Sequence, residues 1–221
     1  MARIELWNGD ICDLEVDAIV NAANLSLWMS TGVGGEIKRA GGDSIEFAAV
    51  RQAPVPLGEA IVTPAGQLAA RAVIHAVSLD RDRRTTAAVI DRAVRSAMAR
   101  ARDILVISVA FPAMGTGVGG FPIDEAARVT VRAVREELPN CPTVEHVIFA
   151  MRGAAAYQAF ETALAATDDE ATAARDAVTR SDASSRSVRA STRSRSIART
   201  PARSRRAATC ASTCRRPTAR S

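Results

Sequence analysis

The sequence predicts an α/β fold, a three-layer α/β/α sandwich in which a sheet lies between two layers of helices. Three observations carry this prediction. Apolar strand patterns alternate with helical ones along most of the chain, the order that builds a helix-covered sheet. The run Ile104-Leu-Val-Ile-Ser-Val-Ala-Phe111 is almost continuously apolar, as in strands buried on both faces. Glycine-rich segments follow strand patterns and open helices, and in such folds ligands sit beyond the carboxyl ends of the strands.

Each element follows in order. Alternation around Ile4 and Leu6 marks a first strand, stopped by the turn signal Asn8-Gly9-Asp10. Ala18-Ile-Val20 is a second strand, ending in Asn21-Ala-Ala-Asn24. Gly32-Val-Gly-Gly35 leads into a short helix over Glu36 to Ala40 that Gly41-Gly42 stops. Asp43 and Ser44 are placed to cap the next helix, which runs through Arg51. Strands are expected at Glu59 to Thr63 and Ala72 to Val77. Between Thr86 and Arg102, Ala87, Ile90, Val94 and Ala97 recur at helical spacing. The strand over residues 104–111 then feeds the loop Pro112-Ala-Met-Gly-Thr-Gly-Val-Gly-Gly-Phe-Pro122. A helix near 124–138, a strand at 144–150 and a helix near 155–166 complete the pattern.

Composition changes sharply after that. Residues 171–221 consist mainly of Arg, Ser, Thr and Ala, with 13 Arg against two Asp. Such a segment has too little apolar surface to offset its chain entropy and is expected to be a disordered tail. Its net charge is +11, so residues 1–170 carry −6 of the chain's +5. The basic balance therefore belongs to the tail, and nucleic acid is an expected partner only there. The tail's Ser-Arg repeats suit RNA, anionic lipid or phosphorylation; a solvated extension, or an out-of-frame translation of GC-rich DNA, is the simpler reading.

The four cysteines, Cys12, Cys141, Cys210 and Cys214, lack partners at zinc spacing, so neither a metal site nor a disulfide framework is expected. The first residues run straight into a strand pattern, and no run of 18 apolar residues occurs. A cytoplasmic protein without a membrane partner is the expectation.

Four groups of residues could carry function. In Gly115-Thr116-Gly117-Val118-Gly119-Gly120, glycines let backbone N–H groups approach an anion, and the following helix adds its dipole. A tight turn alone would also explain them. The spacing Gly115, Gly117, Gly120 matches the dinucleotide fingerprint G-x-G-x-x-G, yet it falls late in the chain and Pro122 interrupts the helix that should follow. The second loop, Gly32-Val33-Gly34-Gly35, could hold a diphosphate from the other side. Asp10, an acceptor-only carboxylate, suits the exocyclic amine of adenine, although an Asx turn is an equal alternative. Asn24 could donate to and accept from a sugar hydroxyl, or simply form a turn. His75 lies mid-strand and is read as structural.

Together these residues resemble the macrodomain family. The resemblance rests on Gly9-Asp10-Ile11, Val20-Asn-Ala-Ala-Asn24, Gly32-Val33, Gly58-Glu-Ala60, Val73-Ile-His75 and Phe111-Pro112 through Gly115-Thr-Gly-Val-Gly119. It implies a central mixed sheet, with a macrodomain over residues 1–170 and the tail beyond. It implies binding of ADP-ribose, free or as a protein-linked substrate, with no cofactor. Asp10 resembles the residue that recognises the adenine amine, with Ile11 beside it, and Asn24 the residue beside the distal ribose. Gly32 and Val33 resemble the first phosphate and ribose loop, and Gly115, Thr116, Gly117, Val118 and Gly119 the second. Phe149 corresponds to a position where an aromatic often packs on adenine; a buried strand residue is the alternative.

Two departures bear on catalysis. Gly34 stands where hydrolytic relatives often have an aspartate, and Gly119 where an aromatic often closes the second loop. The expectation is a binder of ADP-ribose. The alternative is a hydrolase of ADP-ribose derivatives, with Asn24 as the candidate catalytic residue and a substrate phosphate taking the proton. A further alternative is RNA association through the tail. Oligomeric state leaves no trace in the sequence.

Overall fold

The computed structural model describes residues 2–166; the expected tail and Cys210 and Cys214 lie outside them. Six strands form one sheet: β1 (Arg3–Asn8), β2 (Ala18–Asn24), β3 (Ala60–Pro64), β4 (Ala72–Leu79), β5 (Ser108–Phe111) and β6 (His146–Met151), in the order β1-β6-β5-β2-β4-β3. All neighbours are parallel except β3 and β4, so the sheet is mixed. The helices are α1 (Gly32–Gly41), α2 (Asp43–Val50), α3 (Ala87–Asp103), α4 (Ile123–Glu137) and α5, residues 154–166.

Strand alternation assigns each side chain to one of two faces. Val20, Ile74, Val109, Phe111, Val147 and Phe149 pack with Ile90, Val94, Val131, Val134 and Phe160 of α3, α4 and α5. Ile19, Val73, Ala110 and Ile148 face the other way, onto Ile37 of α1 and Ile45 of α2. Every residue of β4 is buried, as a strand covered on both faces requires. The three-layer sandwich is therefore present.

The helix between Thr86 and Arg102 forms as expected, with Thr86 Oγ1 accepting from the Val89 N–H at 3.3 Å. Two expectations need correction. The strand over residues 104–111 begins at Ser108. Apolar continuity does not separate a strand from a helix end, and α3 runs to Asp103 before Leu105 turns with φ 54°. Asp43 does not cap α2: it is the first helical residue, behind Gly42, and its carboxylate faces Lys38 Nζ at 3.5 Å. Gly42 does stop α1, at φ 95°, donating its N–H to the Lys38 carbonyl at 2.8 Å.

The central strands are clamped at their starts by Asp17. Its Oδ2 accepts from the Ile107 N–H at 2.7 Å and the Ser108 N–H at 3.0 Å, and its Oδ1 from Arg71 at 3.2 Å. Burial pushes this carboxyl up, but those four-way bonds, including the Ser108 hydroxyl, outweigh it and hold the group below its ordinary value.

Candidate functional site

At the carboxyl ends of β2, β4 and β5 the chain opens a narrow cleft of about 90 Å³, smaller than the roughly 300–1,000 Å³ of common ligand sites. Of the residues expected there, Asn24, Gly32, Val33, Gly115, Gly117, Val118 and Gly119 line it together. Thr116 sits within the same loop but turns its hydroxyl to the Ala113 carbonyl at 3.1 Å.

One wall is the start of α1. Its N-cap, Thr31, makes no side-chain hydrogen bond to the helix, so the first-turn N–H groups keep no cap of their own. Gly32 enters the helix at φ +61°, where a side chain would be strained. The preceding segment is held from below by Glu46, which is buried and accepts from the Met29 N–H at 2.7 Å and from Lys38 Nζ at 2.6 Å. That hydrogen bond raises the Lys38 ammonium above its ordinary value.

The opposite wall is the loop after β5. The Phe121 N–H closes it on the Gly115 carbonyl at 3.1 Å, and the Gly120 N–H on the Gly117 carbonyl at 3.1 Å. Gly119 is required by close approach: a Cβ there would lie 2.6 Å from the Gly115 oxygen and 2.8 Å from Leu79. Gly117 differs, since a Cβ there would meet nothing within 4 Å.

Asn24 lies on the cleft with both ends of its amide engaged. Its Nδ2 donates to the Trp28 carbonyl at 3.1 Å, and its Oδ1 accepts from the Ser26 N–H at 3.0 Å and the Ser26 hydroxyl at 2.8 Å. The pairing register slips between Ala23 and Asn24, a local irregularity that re-aims a side chain at the end of a strand. Asn24 therefore shapes the loop over residues 24–28 as well as facing the cleft.

Asp10 and Ile11 sit beside this cleft and are not part of its lining. Asp10 makes the anticipated Asx turn, with Oδ1 accepting from the Cys12 N–H at 3.0 Å. Its Oδ2 faces Arg152 at 3.9 Å, and Arg152 also faces Glu36 at 3.6 Å. Ile11 is buried in the cluster of Ile19, Ile37 and Ile148. Burial and the neighbouring Asp10 push the Cys12 thiol up to about 12, so it stays protonated and unreactive.

The expectation that Phe149 packs on adenine is corrected. Its ring is fully buried on the opposite face of the sheet, 5.3 Å from the ring of Phe160 and 6.3 Å from that of Phe111. Period-two alternation sends Ile148 and Ala150 toward the Ile11 side and Phe149 away from it.

No carboxylate, histidine or cysteine lines the cleft among the described residues. Glu36 pairs with Arg39 and Arg152, and Asp43 with Lys38. His75, as expected, is structural: it is fully buried between Asn21 and Thr63, and burial lowers it to about 4. Sequence reasoning passed over Asn21, Trp28 and Arg83, which also line the cleft. Trp28, an exposed aromatic between the buried Leu27 and Met29, was the one legible signal; Arg83 is hidden in a run of charges.

Residues 20–130 match the family described as Macro domain. The chain belongs to this family. It is similar to the Oceanobacillus iheyensis macrodomain solved with ADP, at 28% identity and a TM-score of 0.69, covering 76% of this chain and 92% of that one. It is likewise similar to the Trypanosoma brucei macrodomain solved in complex with ADP-ribose, at 29% identity and a TM-score of 0.68, covering 73% of this chain and 68% of that one. A Salmonella gallinarum protein named O-acetyl-ADP-ribose deacetylase is 40% identical over 154 residues, 67% of this chain and 86% of its own. An uncharacterised Mycobacterium tuberculosis protein is 42% identical over 171 residues. The macrodomain chain spans 47% of that relative's length. No helix among its described residues is long and apolar enough to cross a membrane.

Proposed function

We propose that this macrodomain binds ADP-ribose, free or attached to a protein, with its diphosphate between the start of α1 and the loop over residues 113–119. One observation carries the reading: an uncapped helix N-terminus and a second glycine-rich turn face each other across one cleft. Backbone N–H groups at a helix start favour an anion through geometry and dipole together. Asp10, beside Arg152 at the end of β6, supplies the acceptor for the adenine amine. Solved relatives holding ADP and ADP-ribose support this choice of ligand.

A second reading, hydrolysis of an ADP-ribose derivative, draws on the relative named O-acetyl-ADP-ribose deacetylase. The cleft gives it little chemistry. Hydrolysis needs a positioned water and a proton acceptor, whereas Gly34 has no side chain and Asn24 has no useful basicity and spends its amide on Ser26 and Trp28. A substrate phosphate is the remaining base.

Calorimetry of the full chain with ADP-ribose tests the first reading, and absence of heat would sink it. Turnover of an ADP-ribosylated peptide or O-acetyl-ADP-ribose, with and without Asn24→Ala, tests the second. Activity in the wild type that is lost in the variant would establish an eraser; binding without turnover leaves a reader.

A further inference from the structure

Beneath the first turn of α1 runs a chain of three polar side chains with no task in the site as described. Asn21 on β2, His75 on β4 and Thr63 on β3 stand on adjacent strands, Asn21 in register with His75. None is more than 2% exposed. Thr63 Oγ1 lies 2.9 Å from His75 Nε2, and Asn21 Nδ2 lies 3.1 Å from His75 Nδ1.

These contacts fit one proton order. An amide NH₂ can only donate, so Nδ1 accepts, the proton sits on Nε2, and Nε2–H donates to Thr63. Turning the amide over would set its oxygen against the lone pair of Nδ1 unless the ring changed tautomer and the Thr63 hydroxyl reversed its role. In that order the Asn21 oxygen points away from His75.

That oxygen is the open end. Asn21 Oδ1 is buried and has no hydrogen-bond partner among the described residues, although Asn21 lines the cleft. A buried acceptor left unpaired is costly. Directly above it is Gly34, where a Cβ would lie 3.1 Å from Oδ1 and 3.4 Å from Nδ2. Glycine at this position keeps a side chain from pressing on the oxygen.

We propose that Asn21 reads a hydroxyl of the ligand: its Oδ1 accepts a hydrogen bond, in the space over Gly34, from an O–H carried by a sugar of the bound nucleotide or by a water lodged against that sugar. An acceptor at this point repels phosphate oxygens and welcomes a donor. Asn21 therefore sets the register of the ligand along the cleft, with a sugar over Gly34 and the diphosphate displaced toward the N–H groups of the α1 start and the residue 113–119 loop. This inference rests on the nucleotide reading above.

The test is a double-mutant cycle of Gly34→Ala and Asn21→Leu, titrated calorimetrically with ADP-ribose and with ADP, which lacks the second ribose. Alanine suits a helix better than glycine, so Gly34→Ala keeps the fold while its methyl covers Oδ1, and an unchanged thermal midpoint verifies that. We expect Gly34→Ala to weaken ADP-ribose by about twofold to twelvefold, the range of one hydrogen bond. Asn21→Leu should weaken it comparably, and the pair should cost little more than either alone. Losses confined to ADP-ribose place a hydroxyl of the second ribose directly on Asn21; equal losses with ADP place the first ribose or its water there. Unchanged affinity in Gly34→Ala overturns the proposal, as do losses that simply add in the double variant, because a methyl acting by bulk alone would ignore Asn21. If Asn21→Leu does not fold, Asn21→Ala takes its place in the cycle. Absence of wild-type binding is a separate result, which removes the nucleotide reading itself and this inference with it.

Discussion

His75 makes this macrodomain lose stability in a pH window where most proteins are unperturbed. Its imidazole is fully buried and titrates at about 4, pulled down by loss of solvent; unfolded, a histidine titrates near its ordinary value of about 6.5. Between these values the unfolded chain binds a proton that the folded chain does not, so stability falls as the pH falls. The neutral ring therefore contributes its full stabilising effect above the unfolded value, and the loss amounts to about 2 kcal/mol by pH 5 and about 3 kcal/mol by pH 4. Asp17, Asp91 and Glu137, all held below their ordinary values, lose their contribution only as the pH falls below the unfolded carboxyl range, so they leave the window from pH 5 to 7 to histidine. Urea denaturation followed by the fluorescence of Trp7 and Trp28 provides the assay. With a slope of about 2 kcal/mol/M, the midpoint should drop by about 1 M between pH 7 and pH 5. His75→Asn should flatten that dependence, while His146→Gln separates the contribution of the second histidine. Equal midpoints at pH 7 and pH 5, or an undiminished dependence in His75→Asn, would refute the reasoning.

Three further outcomes are expected. Asp10→Ala should weaken ADP-ribose by about 10-fold to 100-fold through loss of a charge-assisted hydrogen bond to adenine, while ribose-5-phosphate, which lacks adenine, binds as before; equal losses for both would remove the adenine role. Gly117→Val should fold normally, since its backbone is unstrained and a Cβ meets nothing within 4 Å, yet abolish detectable ADP-ribose binding by filling the space for the diphosphate. Unchanged affinity there would reduce the loop to a turn. Asp17→Ala should cost about 2–3 kcal/mol by stranding the N–H groups of Ile107 and Ser108, seen as a fall of about 5–10 °C in Tm; a smaller fall than about 2 °C would mean that the clamp at the strand starts contributes little.

Local sequence was enough for whatever depends on a residue and its near neighbours. Period-two alternation located the strands, helical spacing located α3, and paired glycines stopped α1. The Asx turn at Asp10 was legible for the same reason, because its donor, Cys12, is two residues away. The two loops that face each other in the cleft were also readable, since each follows a strand and ends in a helix. Where the chain's own pattern was ambiguous, long-range packing decided. Ile104 to Ile107 are apolar, but Val106 is buried beneath the end of α3 while Leu105 and Ile107 stay exposed, so the run is a turn and not a strand. Phe149 could have faced either helical layer, and the register of β6 between β1 and β5 sent it to Phe160. The buried Glu46 beneath Met29, the bridge from Arg152 to Asp10 and Glu36, and the chain from Thr63 through His75 to Asn21 join residues far apart in sequence. No local pattern encodes such partners, because a hydrogen bond forms where the fold brings donor and acceptor within about 3 Å, and that distance exists only once the strands have paired.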